Sequence, residues 1–261
     1  MNASYGVKEV ESDLDIHEEE LKRLGFTIID SGLTKNEINE ISNEIERCKR
    51  EYDKRFGFDY LKSLGEHNGI RKPLSMSEAI FRLCFNPKLI SYLDNILSKN
   101  YILNQQNVVI NPVKEEYNQS LWHRDLPYQH YTSSRPLAVN ALFCVDDFTL
   151  DNGSTWVIPG SHKEEVFPSK HYLRKHACQV KAKSGSFILL DCMLYHKGGS
   201  NNSNHSRKAI NHVFTSPMIA QQIKFESKDF HHYHLTEKEE FILSINSKDN
   251  SSVESYLFSR E

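Results

Sequence analysis

The change of texture at Tyr101 limits how this chain can fold more than any other feature. Beyond it come five short runs, YILNQQNVVI, LAVNALFCV, STWVIP, SFILLD and KAINHVFTSP. They are rich in β-branched and aromatic residues and are separated by Gly, Pro, Asn or Asp, which is the pattern of strands and turns. DNGS (Asp151 to Ser154) and PGSH (Pro159 to His162) carry turn chemistry between them. Before Tyr101 the pattern is helical. DIHEEELKRLGF has an acidic start, a basic end and a glycine stop at Gly25, and FTIID after it is a short strand. Thr34 and Glu37 form a capping box ahead of Ile38, Ile41 and Ile45. Ser75 and Glu78 repeat that signature, Pro87 opens the next helix, and Thr236 with Glu239 caps another after Phe230. No repeat or linker interrupts the chain. Helices followed by a long run of strands predict one mainly β, α+β domain over residues 1–261. Its helical part runs to about residue 100, its β core from about 101 to 217 and its C-terminal segment from about 218, with helices packed around a β-sandwich or barrel.

The bulk numbers exclude several classes. A chain of 261 residues can bury a sizeable core. Its formal net charge of −3, without a long basic run, argues against a nucleic-acid scaffold. No apolar run is long enough to span a membrane. MNASYGVKEVESDLD is polar and acidic, unlike a secretory signal. Five scattered cysteines without CxxC spacing argue against a disulfide framework or a structural zinc, and a reducing cytoplasm is the expected home.

Within SLWHRDLPYQH, His123 and Asp125 stand two residues apart. On a strand such residues point to the same face, so an imidazole and a carboxylate would aim at one place. Among 13 histidines the best third partner is His196, which follows GSFILLD closely and precedes a Gly-Gly turn. Two histidines and one carboxylate with open positions form the facial triad of non-haem Fe(II) oxygenases. If KGGSNNSNHS joins antiparallel strands, Arg207 returns beside His196. Arginine grips a carboxylate through two parallel hydrogen bonds and stays charged. A dicarboxylate bound to iron at one end and to Arg207 at the other describes 2-oxoglutarate.

WHRD, VDDFTLDNGSTWVIPGSHK and YHKGGSNNSNHSRK, with LKRLGFTIIDSGLTKNEINEI upstream, resemble the phytanoyl-CoA dioxygenase family of Fe(II)/2-oxoglutarate-dependent oxygenases. The likeness runs from about Leu21 to about Pro217. It implies a double-stranded β-helix, a cupin-like jelly roll, with N-terminal and flanking helices. It implies His123, Asp125 and His196 as the iron ligands and catalytic centre, and Arg207 as the 2-oxoglutarate clamp. Further co-substrate contacts are expected from Gln105 and Asn107, which share a strand face with Val109 and Asn111, and from Asn140 on the next strand. Two positions depart from the pattern: Asn111 stands where many members have a basic residue, and Gly198 where some have a small polar one.

The implied chemistry consumes 2-oxoglutarate and O2, releases succinate and CO2, and hydroxylates an unactivated C–H bond. Halogenases resembling this family replace the carboxylate ligand with a small residue, so Asp125 favours hydroxylation; desaturation, epimerisation and ring closure use the same triad. A small or medium polar metabolite is the expected substrate, since Tyr128, His130, Tyr131, Ser133 and Ser134 flank the site, with residues 50–74 as a candidate lid. Two rivals are a jelly-roll metalloenzyme that does not use 2-oxoglutarate and a non-catalytic binding protein of the same fold. Elsewhere, FHHYH (Phe230 to His234) reads as a polar surface, Cys192 as core, Trp122 as packing, His162 as a turn residue and Arg135 as a solvated loop residue.

Overall fold

The computed structural model describes residues 15–126, 130–245 and 252–258. Eight helices are described: α1 (Ile16–Leu24), α2 (Lys35–Phe56), α3 (Phe58–Ser63), α4 (Glu78–Cys84), α5 (Pro87–Ile96), α6 (Lys170–His176), α7 (Glu237–Leu243) and α8 (Val253–Phe258). The strands are β1 (Phe26–Asp30), β2 (Gly69–Arg71), β3 (Ile102–Asn111), β4 (Ala138–Cys144), β5 (Trp156–Val157), β6 (Cys178–Gln179), β7 (Ser186–Asp191), β8 (His196–Lys197) and β9 (Arg207–Thr215). Six form an antiparallel sheet in the order β1-β7-β4-β9-β3-β2, and three short ones form a second sheet, β6-β5-β8. This is the expected α+β jelly roll with flanking helices.

The pleat of the large sheet explains where the site lies. Side chains alternate between its two faces. One face carries Val139, Ala141 and Phe143 of β4, Phe187 and Leu189 of β7, and Ile210 and Phe214 of β9. These pack in one core with Ile41, Ile45 and Cys48 of α2, Ile80 of α4 and Leu89 and Leu93 of α5. The other face carries Leu142, Cys144, Ile188, Leu190 and Ala209, which meet Phe148, Val157, Val180 and Leu194 from the small-sheet side. Both faces are covered, so the strands read as continuous apolar runs. Polar residues on the second face, Asn140, Asn211 and Arg207, therefore point into the molecule.

Local signals hold at most element ends. Thr34 and Glu37 make both bonds of a capping box on α2, and Thr236 with Glu239 does the same on α7. Gly25 closes α1 at φ 86°. The cap at Ser75 is corrected: that residue ends a 3-10 turn opened by Pro73, and Ser77 caps α4 instead. STWVIP yields only a two-residue strand. The candidate lid is part of the fold, since α2 extends to Phe56 and β2 pairs with β3 at the sheet edge, with Ile70 fully buried. Phe230 is buried, Tyr233 stacks on Phe81 at 4.4 Å, and His231, His232 and His234 are exposed. Cys192 is buried and Arg135 exposed. His162 is buried against α1, its Nε2 3.2 Å from the Lys22 carbonyl oxygen. All five cysteines are free thiols, and no helix among the described residues is long and apolar enough to cross a membrane.

Candidate active site

His123 and His196 are bound to each other through the backbone. The His123 N–H donates to the His196 carbonyl and the His196 N–H donates back, both at 3.0 Å. This antiparallel bridge sets the two rings side by side, with centroids 4.4 Å apart. Asp125 is fixed by its own N–H, which donates to the Cys192 carbonyl at 3.0 Å. Asp125 Oδ1 then lies 4.0 Å from His123 Nε2 and 3.5 Å from His196 Nε2. No other group of three potential metal ligands converges in this way among the described residues.

The ring orientations follow from hydrogen bonds. His123 Nδ1 lies 2.8 Å from the Leu121 carbonyl oxygen, and His196 Nδ1 lies 2.9 Å from that of Leu194. A carbonyl oxygen only accepts, so each Nδ1 carries the proton and each Nε2 presents a lone pair. Burial pushes the Asp125 carboxyl up, but His196, His123 and the Asn140 amide outweigh it and hold the group down at about 2. It is therefore a carboxylate at any physiological pH. Burial lowers His123 and the neighbouring His196 adds to this; for His196 burial is outweighed by Asp125, and the net shift is upward. Two imidazole nitrogens and a carboxylate suit a first-row divalent ion with open coordination positions.

The co-substrate candidates divide. Arg207 is 3% exposed and lines the same cavity as the triad. Its guanidinium lies 3.8 Å above the Phe148 ring and its Nε donates to the Asn152 carbonyl at 3.3 Å. Among the described residues no carboxylate lies within ion-pair distance of it. A buried, unpaired cation is costly, and an anionic ligand is the natural compensation. Asn140 lines the triad cavity too; its Nδ2 donates to Asp125 Oδ2 at 3.0 Å, and its Oδ1 is buried without a hydrogen-bond partner. Gln105 lines a larger neighbouring cavity of about 840 Å³, which Asp125 also borders. Asn107 is buried further along the strand, its amide 2.9 Å from that of Gln105, and it is absent from the lining of the triad cavity. Asn111 is used structurally: its Nδ2 donates to the Gly199 and Gly153 carbonyls.

Sequence reasoning missed several residues. Arg124, between the two triad residues, is buried over the Tyr195 ring at 4.0 Å and donates to the carbonyls of Ser161 and Glu164. It pins the PGSH turn beside the site, and nothing in its spacing announced that. Tyr117 and Thr155 also line the triad cavity. Trp122 is packing, as read, with its ring 6.3 Å from that of Phe167 and the Lys197 ammonium above it. Tyr131 borders the larger cavity, His130 and Ser134 are exposed and Ser133 is half-buried; Tyr128 lies outside the described residues.

Comparison with known proteins gives the site its context. An uncharacterized protein of Mycobacterium tuberculosis is 30% identical over 219 residues, covering 82% of this chain and 80% of the relative. The ectoine dioxygenase of Nocardia farcinica is 24% identical, covering 77% of this chain and 78% of its own. Among solved structures, EctD from S. alaskensis with 2-oxoglutarate and 5-hydroxyectoine superposes with a TM-score of 0.66 at 18% identity, covering 81% of this chain and 79% of that one. The family model for phytanoyl-CoA dioxygenase matches residues 21–209. The chain belongs to the phytanoyl-CoA dioxygenase family of Fe(II)/2-oxoglutarate-dependent oxygenases.

Proposed function

We propose that this protein hydroxylates an unactivated C–H bond of a small or medium polar metabolite, with succinate and CO2 as co-products. In this reading His123 Nε2, Asp125 Oδ1 and His196 Nε2 hold Fe(II), and the buried Arg207 holds the far carboxylate of 2-oxoglutarate. The iron, with 2-oxoglutarate and O2, supplies the oxidising power. The chain positions the reactants and keeps water out. The observation that carries the reading is a buried guanidinium, without a carboxylate partner among the described residues, in the same cavity as three converging metal donors.

The substrate would enter through the larger cavity. Its wall combines Leu126, Leu137 and Ile219 with the carboxamides of Asn104, Gln105 and Gln222. Arg124, the cation at its edge, is held by carbonyls and an aromatic ring. Such a lining suits a compact, largely neutral molecule with a few hydrogen-bonding groups better than a bare alkyl chain. The structural likeness to an enzyme solved with 5-hydroxyectoine agrees with that class.

The test is succinate release by protein reconstituted with Fe(II) and ascorbate under argon and then aerated with 2-oxoglutarate. Turnover without substrate should already be measurable, and a metabolite library should raise it. Arg207→Ala should weaken 2-oxoglutarate binding at least about a hundredfold, the loss typical of a buried, hydrogen-bonded charge pair. Activity that survives this change would mean a metalloenzyme that does not use 2-oxoglutarate. Absence of both iron binding and succinate would mean a binding protein.

A further inference from the structure

The glycine at position 198 has a specific explanation. It lies two residues beyond His196, and its backbone is not in the left-handed region that requires glycine. What excludes a side chain there is Tyr117: a Cβ on Gly198 would sit 1.9 Å from the Tyr117 hydroxyl oxygen and 2.7 Å from the ring carbon that bears it. The segment is locked in that place. The Gly198 N–H donates to the Gln119 carbonyl at 2.7 Å, and the Tyr117 N–H and carbonyl both engage Ser120, at 3.1 and 3.0 Å. From there the phenol reaches into the triad cavity, which Arg207 also lines, and the hydroxyl and the guanidinium interact electrostatically.

We infer that Tyr117 supplies the hydroxyl missing at position 198, and that it binds the far carboxylate of 2-oxoglutarate together with Arg207. The inference rests on the proposed function, because it assigns a second contact to that co-substrate. The hydroxyl is the group nearest the space a residue-198 side chain would occupy, and it shares the cavity with the guanidinium. A carboxylate arriving at Arg207 would find a phenol O–H directed at its second oxygen. The phenol is half-buried, and desolvation pushes its pKa up against the opposing pull of Arg207, so it stays a donor at neutral pH. Tyr117 is thus a binding and positioning residue on a loop ahead of the H-x-D motif, with Gly198 cleared to admit it.

Anaerobic titration of 2-oxoglutarate into the Fe(II)-loaded protein, by calorimetry and by the visible absorption of the iron–keto-acid chelate, tests this without turnover. Tyr117→Phe should raise the Kd for 2-oxoglutarate about tenfold or more, the worth of one hydrogen bond to a charged group. It should leave unchanged the Kd for 2-oxobutanoate, which has the keto-acid end but no far carboxylate. Tyr117→Ala should lose affinity similarly, and Tyr117→Ala/Gly198→Ser should recover part of it by placing a serine hydroxyl in the vacated space. Gly198→Ser alone should weaken binding by displacing the phenol. Thermal melting of each variant checks folding. A Tyr117→Phe variant that binds 2-oxoglutarate within twofold of the wild type, or that loses 2-oxobutanoate equally, would overturn the assignment alone. Failure of the wild type to bind 2-oxoglutarate would overturn it together with the proposed function.

Discussion

Arg207 puts a charge where charge is expensive, and its surroundings show how that is tolerated. The Phe148 ring covers one face, and the Asn152 carbonyl takes part of its donor capacity. The remaining capacity faces the cavity. His212 is the opposite case, a buried histidine without such relief. Its Nδ1 lies 3.0 Å from the Ala141 carbonyl oxygen, its Nε2 has no hydrogen-bond partner, and burial lowers it from 6.5 to about 4. The unfolded chain takes up that proton more readily than the folded one. The contribution of neutral His212 is therefore complete above pH 6.5 and is lost progressively as pH falls toward about 4, by roughly 3 kcal/mol. Denaturant titrations of wild type and His212→Leu across that window should diverge, with the variant showing the flatter acid limb; parallel curves would contradict the assignment. At this scale legibility was uneven. His123 and Asp125 were readable because a period of two puts neighbours on one face. Tyr117 and Arg124 were not, because loop paths that no local pattern encodes decide their contacts. Asn140 lines the triad cavity, and its amide meets Asp125, a contact that a one-strand reading does not give.

The turns around the site are elements in their own right. Gly153 sits at φ 73°, and a Cβ there would lie 2.4 Å from the Gly199 carbonyl oxygen and 2.5 Å from Asn111 Nδ2. The DNGS turn and the Gly-Gly turn thus interlock through Asn111, and the Asn152 carbonyl that holds Arg207 belongs to the first of them. Gly153→Ala should cost on the order of 1–3 kcal/mol from backbone strain. It should also weaken 2-oxoglutarate binding, because it shifts the carbonyl that orients the guanidinium. Melting and ligand titration on the same sample would check both, and a stable variant with unaltered affinity would refute the coupling. Helix starts were legible where one cap was available, as at Thr34 and Thr236. At SMSE two serines competed, and Pro73 had already committed the first to a 3-10 turn. β2 escaped notice because three residues carry no period, and its pairing with β3 makes it a strand. β3 itself slips register between Leu103 and Gln105, where the Asn104 carboxamide bonds Ala220 and Gln222 of the segment bordering the larger cavity.

At the scale of the molecule, the helical layer and the small sheet bury opposite faces of one large sheet, so polar residues on the second face can only serve the interior. That is why a helix-then-strand pattern gave the architecture, while the size and lining of the cavity beside Asp125 emerged only once distant segments, residues 104–105, 124–126 and 218–222, were placed together. The mutual backbone pairing of His123 and His196 has a practical outcome. Because two peptide hydrogen bonds tie these residues together, the polypeptide itself should hold the scaffold in shape. Chelation should therefore empty the protein without unfolding it: far-ultraviolet dichroism should be unchanged, and any shift in Tm should follow only the mass action of the released cation. Collapse of the spectrum on chelation would show that the ion helps build the scaffold. A scaffold that survives emptying can be refilled at will, so cobalt, nickel or zinc can stand in for iron as spectroscopic or inert probes of the same pocket.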